Sequence, residues 1–397
     1  MGGGFAALAL GVQYRENQLS QDYDDLANQD SFTFVIGNPD IDGSQDVWAA
    51  FGELALPIND ELDVQLAVRY EDYGGSIGST VDPKLAVSWR ATDEFSFRGS
   101  ISTSFRAPTV FLAQGGATSL QQLIDPVQGA VTFVAVRTSG NEDLKPEEST
   151  AYNIGFSYEP FRDFSIEVDY WNFEFEDLII QENAQAVLNE DPTNPDRVIR
   201  AGDPLTGPAL QVNNTYVNAS SLETSGLDFV TSYKIETDFG SFTPSLNATY
   251  ITKYDLMDPQ AGNIDGAGRR NFNNIGVSSP ELRANLGLAW KNDIHAANVF
   301  LRYISSYDDD QNCDDGTANL GGCAGGFYEV DSHLTVDAQY NIDLGGLYDT
   351  EQSYVLTLGA INMFDEEPPQ LFTNSGFDSK VHDPRGRQIY ARLAIEF

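Results

Sequence analysis

Polar and apolar residues alternate along this chain with a period of two, in segments of about ten residues, which is the repeat of a strand with one greasy and one wet face. Over 61–71 one face reads Leu62, Val64, Leu66, Val68 and Tyr70, and the other reads Asp63, Gln65, Ala67, Arg69 and Glu71. From Phe95 the apolar face is Phe95, Phe97, Gly99, Ile101, Thr103 and Phe105, set against Ser96, Arg98, Ser100, Ser102, Ser104 and Arg106. Thr150, Tyr152, Ile154, Phe156 and Tyr158 repeat the pattern, as do Leu282, Ala284, Leu286, Leu288 and Trp290, and the terminal Ile389, Ala391, Leu393, Ile395 and Phe397. Further strands are predicted near 5–17, 46–56, 82–90, 164–180, 214–234, 240–254, 296–307, 329–342 and 353–362. That makes about fourteen, each long enough to cross a bilayer at a tilt.

The connections alternate in length. Short turns at 57–60, 91–93, 160–163 and 291–293 follow every second strand, and long loops near 20–45, 107–148, 182–213, 255–279, 308–327 and 363–385 follow the others, with a shorter member at 74–81. A soluble sandwich has no reason to segregate loop length by strand parity. An outer-membrane barrel does, with short periplasmic turns on one rim and long extracellular loops on the other. The pattern predicts an all-β fold, a transmembrane antiparallel up-and-down β-barrel. Aromatics including Tyr70, Trp89, Phe105, Tyr158, Tyr170, Trp171, Tyr250 and Trp290 are expected mostly at strand ends, where amphipathic rings suit the head-group layer. The alternative is a soluble acidic binding sandwich or adhesin, because periodicity alone does not say which face meets lipid.

Composition narrows the function. With 60 acidic and 22 basic side chains in 397 residues, the formal charge of -38 argues against nucleic acid as partner, which needs a positive patch. The longest apolar run, 5–12, is too short for a membrane helix, and it lacks the flanks of a signal peptide. No phosphate-cradling loop, nucleophile elbow or His-Glu-x-x-His occurs, so catalysis has no foothold and no cofactor is implied. Cys313 and Cys323 bracket a polar, Gly-rich stretch and are expected to form a local disulfide, two free thiols being the other reading. Asp310, Asn312 and Asp314 invite a calcium reading, yet an EF-hand in that phase would want Gly at 315 and Glu at 321 and finds Asp315 and Gly321, which favours a solvated loop.

Several words of the sequence resemble the TonB-dependent receptor family. Phe105, Arg106 and Pro108 stand in Ser-Phe-Arg-Ala-Pro-Thr, similar to that family's strand end before a long loop. Asn141, Leu144, Pro146 and Glu147 stand in a Gly-Asn-x-x-Leu-x-Pro-Glu stretch that resembles the opening of its next strand, and Gly226 in a Gly-hydrophobic-acidic step. Asn362, Phe364 and Asp365 resemble its penultimate-strand ending, and Gly386, Arg387 and the terminal Phe397 its close. The likeness spans 46–397 with the motifs in order. Asn362 and Asp365 are turn formers whose side chains can bond nearby backbone, and Gly386 is expected to supply a special φ before the last strand.

The resemblance implies energy-coupled uptake of a scarce nutrient: an iron chelate, a vitamin or an oligosaccharide. It implies as partners the outer-membrane lipid, an inner-membrane energy-coupling protein acting through a plug, and barrel assembly machinery that reads Phe397. Family barrels have about 22 strands around a plugged lumen. Residues 1–397 are therefore expected to be the C-terminal portion of such a barrel, without the plug and first strands. A complete, passive fourteen-stranded pore is the alternative. Phe111, Gln114, Gln121 and Gln122, in the loop after Arg106, are candidate ligand contacts, packing of loop on loop being the plainer role.

Overall fold

The computed structural model describes residues 4–28, 38–259, 262–270, 278–314, 323, 325–347, 353–372 and 375–396. Phe397, Asp315 and Gly321 lie outside the described residues. The strands are β1 (Ala7–Gln21), β2 (Ile41–Pro57), β3 (Leu62–Asp72), β4 (Ser79–Arg90), β5 (Phe95–Arg106), β6 (Gly116–Asp125), β7 (Ala130–Ser139), β8 (Glu147–Tyr158), β9 (Phe164–Gln181), β10 (Val198–Arg200) and β11 (Ala209–Tyr233). They continue with β12 (Ile235–Thr237), β13 (Gly240–Asp258), β14 (Gly262–Asp265), β15 (Leu282–Lys291), β16 (His295–Ile304), β17 (Tyr307–Cys313), β18 (Phe327–Val330), β19 (His333–Asp343), β20 (Ser353–Ile361) and β21 (Gln388–Glu396).

A continuous wall runs β1, β2, β3, β4, β5, β8, β9, β11, β13, β15, β16, β19, β20, β21, each strand antiparallel to the next. This is the expected up-and-down meander of about fourteen crossings. Among the described residues no pairing joins β1 to β21, so the wall ends in two free edges. No helix of the described residues is long and apolar enough to cross a membrane.

Register explains how the wall sits in lipid. Leu54, Leu66, Leu85 and Ile101 form one cross-strand row, and Leu66, Leu85 and Ile101 are 41 %, 40 % and 51 % exposed. A slip of one residue would move this whole set to the other face. Exposed rows of that extent are stable only against hydrocarbon. The opposite face carries ion pairs instead: Arg15 and Arg69 on Glu71, Arg98 on Glu167 and Asp169, Arg302 on Asp337. These line the wet interior.

On β9 the two faces exchange polarity part-way up. Ile166, Val168 and Tyr170 lie on the lipid side with Glu167 and Asp169 behind them; beyond Trp171 the same two faces read Asn172, Glu174, Glu176 outside and Trp171, Phe173, Phe175 inside. β11 follows, with Leu227 and Phe229 outside low on the strand and Glu223 outside above. β13 follows through a bulge at Thr252, which brings Lys253 and Asp255 to the outer side and leaves Tyr254 and Leu256 buried on the inner one. The strands therefore leave the bilayer while still paired. This corrects the expectation that Tyr170, Trp171 and Tyr250 stand at strand ends: they sit mid-strand because the strand outruns the membrane, and Tyr170 and Tyr250 mark the boundary on the outer side.

The long loops are not structureless. The stretch after β5 holds the short helix Val110–Gln114 and the hairpin β6–β7, turned at Gly129 (φ 62). β7 then pairs parallel with the first residues of β11, and β10 pairs with β11 on its other side, giving a small sheet above the wall.

Candidate functional site at the extracellular mouth

Two packed lobes stand on the long-loop rim. The first joins the loop after β5 to the loop after β9. Leu123, Val134, Val136, Val198 and Val212 from its sheet pack under Ala184, Val187 and Leu188 of the helix Ala184–Glu190. Asn183 caps that helix, its Oδ1 accepting from the backbone N–H groups of Gln185 and Ala186. At the heart of the lobe Arg200 grips Asp125 through two nitrogens at 2.7 and 3.0 Å, and the Ala209 N–H donates to the same carboxylate at 3.0 Å. Burial opposes the charge on Asp125, but the Arg200 guanidinium and the N–H donors of Ala209 and Val127 outweigh it and hold the carboxyl below its ordinary range.

The second lobe gathers the described residues of the loops after β13, β16 and β20. Tyr307, Val330 and Leu371 form its apolar centre. Arg270 pairs with Asp309 at 3.1 Å, and Cys313 is joined to Cys323.

Between the first lobe and the wall lies a cavity of about 550 Å³, lined among others by Gln45, Trp48, Tyr73, Val110, Gln114 and Glu142. Gln114 reaches it because Gly43 has no side chain: a Cβ there would stand 2.2 Å from Gln114 Oε1. Tyr73 donates to Glu71 at 2.7 Å and receives Arg15 at 2.8 Å. Burial, then Glu71, push its phenol up to about 12.

The candidate ligand contacts do not converge. Of the four, Gln114 alone lines this cavity. Phe111 shares the short helix with it, whereas Gln121 and Gln122 stand in β6, on opposite faces of that strand. Trp48 and Glu142 line the cavity as well, a juxtaposition the sequence does not show because the first half of β2 and the stretch before β8 meet only after folding. Asn312 donates to Asp309 at 2.6 Å and Asp314 is exposed, and among the described residues no group of three or more His, Cys, Asp or Glu is placed to hold a metal ion.

The motif residues work as loop staples. Arg106 pairs with the buried Glu147 across β5 and β8, and Glu147 also accepts from the Ile179 N–H at 2.8 Å. Pro108 accepts from Gln45 at 3.2 Å, Asn141 donates to the Tyr216 carbonyl at 2.9 Å, and Leu144 is fully buried. Phe105 meets the Tyr73 ring edge-on, Pro146 precedes β8, and Gly226 leaves room for Trp171 to lie over it. Asn362 (φ 48) and Asp365 (φ 62) turn the chain after β20. Asn362 exchanges two hydrogen bonds with the backbone of Glu366, and Asp365 accepts from the Arg387 N–H at 2.6 Å. Phe364 is exposed between them. Gly386 corrects its expectation: it is not among the positive-φ glycines, and its missing side chain instead makes room for the Asp365 carboxylate, which a Cβ would approach to 2.5 Å.

A paired wall with a lipid face, a charged interior and packed extracellular lobes is the geometry of an outer-membrane receptor barrel. The family model described as TonB dependent receptor-like, beta-barrel, matches residues 2–363. The chain belongs to that family. It is an outer-membrane β-barrel protein. It is 21 % identical to the probable TonB-dependent siderophore receptor PirA of Acinetobacter baumannii, over 98 % of this chain and 48 % of that protein. Among solved structures it overlays the ferric enterobactin receptor PfeA of Pseudomonas aeruginosa with a TM-score of 0.68 at 16 % identity, covering 98 % of this chain and 51 % of that one. The solved structure of A. baumannii PirA gives a TM-score of 0.65 at 17 % identity, with 98 % and 52 % covered. The chain thus spans about half the length of these TonB-dependent relatives.

Proposed function

We propose that this TonB-dependent family member is the C-terminal barrel portion of an energy-coupled uptake receptor whose ligand is an iron chelate. It transports and does not catalyse. The carrying observation is the wall itself: paired strands through the bilayer that continue above it to hold two folded lobes around the mouth. The class of ligand follows what the relatives' names say of those proteins, with a vitamin or an oligosaccharide as the other outcomes of a test. Coupling would reach the inner membrane through a plug in a longer protein, and Phe397 would be the terminal aromatic read during assembly.

The test is uptake of radiolabelled iron chelates by cells that depend on this receptor. Accumulation against a gradient that an uncoupler abolishes is the expected result. Passage that is insensitive to the uncoupler and limited only by solute size would instead identify a passive pore.

A further inference from the structure

A buried chain of polar groups inside the second lobe is used by nothing described so far. Ser278 Oγ donates to Asp378 Oδ2 at 2.5 Å, and Tyr307 Oη donates to the same oxygen at 3.2 Å. Having spent its one hydrogen, the phenol oxygen must accept from His382 Nε2, also at 3.2 Å. His382 therefore keeps a lone pair on Nδ1, and the partner of that lone pair is His333 Nδ1, 3.3 Å away. The series ends at His333 Nε2, which is shut off from solvent and has no partner among the described residues. The proton positions follow from partners, since each contact needs one hydrogen and one acceptor.

Both rings are buried, His333 at 8 % and His382 at 4 % exposure. The groups that face them come from every element packed there. Tyr307 belongs to β17 and stacks on His382, and His333 opens β19 and meets His382 edge-on. Asp378 stands on the same loop as His382, with the Arg270 guanidinium 3.7 Å from it. Arg283 of β15 acts on His382, and Glu366 on His333.

We propose that this array is a proton-operated latch: neutral, it ties the loop between β20 and β21 to β17 and β19, and protonated, it releases that loop from the mouth. A second proton on His382 would set N–H against N–H across 3.3 Å. A proton on His333 Nε2 would place a charge in a buried position with no acceptor. Neither ring accepts acid with the array intact, whereas both accept it once the loop has swung out into water. Burial, then the adjacent His333, push His382 down to about 4. The direction follows: a folded value below the ordinary histidine value of about 6.5 gives a tie that is complete above that value and weakens as pH falls toward the folded one.

The test is amide hydrogen exchange, corrected for intrinsic rate, on protein purified from outer membranes in detergent. Exchange at residues 378–382 is expected to rise roughly a hundredfold between pH 6.5 and 4.5, while the first lobe around Arg200 stays protected. The double variant His333→Gln, His382→Gln should make that profile flat. A flat profile in the unaltered protein, or acid opening that persists in the double variant, would overturn the latch. Should the variant fail to fold, exchange at the histidine C2 position in the unaltered protein decides. A His382 that titrates at the ordinary histidine value would equally overturn it.

Discussion

Arg98 reaches Asp169 by crossing β8, and it can do so because residue 155 carries no side chain: a Cβ on Gly155 would stand 2.1 Å from the Asp169 carboxylate. Gly155→Ala should displace that carboxylate and cost about 1–3 kcal/mol, as overpacking does. Heat-modifiable gel migration at graded temperature would register it as earlier unfolding, and an unchanged profile would refute the crossing. The alternation of β5 already placed Arg98 on the wet face, but its partner two strands away was not readable, because no local pattern states which strands become neighbours. Asn362 and Asp365 were readable as turn formers, since their chemistry is local. Gly386 was misread for the same reason Arg98 was half-read: what it accommodates comes from 365, and only the closed loop brings the two together.

At the scale of elements, β9 is the informative case. A strand near 164–180 is expected from the sequence and the structure has Phe164–Gln181, but the exchange of faces near Trp171 is not legible there, because period two looks the same whichever side is apolar. Spin labels placed singly at Val168 and Glu174, which share a face, should differ: the first broadened by lipid-soluble oxygen, the second by a water-soluble metal complex. Equal lipid exposure at both would remove the boundary drawn at Tyr170. The hairpin β6–β7 was hidden for another reason. Its apolar residues pack against a helix from a different loop, so neither loop shows a complete core alone. Breaking the ion pair there, with side chains 0 % and 1 % exposed, by Arg200→Ala should cost about 3–5 kcal/mol. Limited proteolysis should then cut the lobe and spare the wall. Asp125 adds a pH dependence of definite sign: its carboxyl is held below the ordinary value, so this contribution is whole above about pH 4 and fades as pH falls through the depressed folded value. A lobe that becomes more resistant in acid would contradict the assignment.

For the whole molecule, the excess of acid over base speaks against a polyanionic partner. In the structure it is also a statement about architecture, because carboxylates occupy the wet interior, the outer face above the tyrosine boundary, and the lobes, none of which touches hydrocarbon. The two free edges matter more. Unpaired backbone in lipid costs several kcal/mol per group, so we expect the isolated 397-residue chain to give mixed, aggregating species in detergent unless further strands cover β1 and β21. Size-exclusion chromatography with light scattering would show it. A single monodisperse monomer would mean that the edges find each other.

The paired stretch of β9 and β11 beyond the tyrosines, from Trp171 to Gln181 on β9, amounts to a stiff collar, roughly 35 Å of sheet at ~3.3 Å per residue along each strand. Such a collar holds the first lobe at a distance from the head-group layer. It also offers antibodies a rigid handhold outside the mouth, so a binder raised against Glu174 and Glu223, paired on the outer face, should stain intact cells.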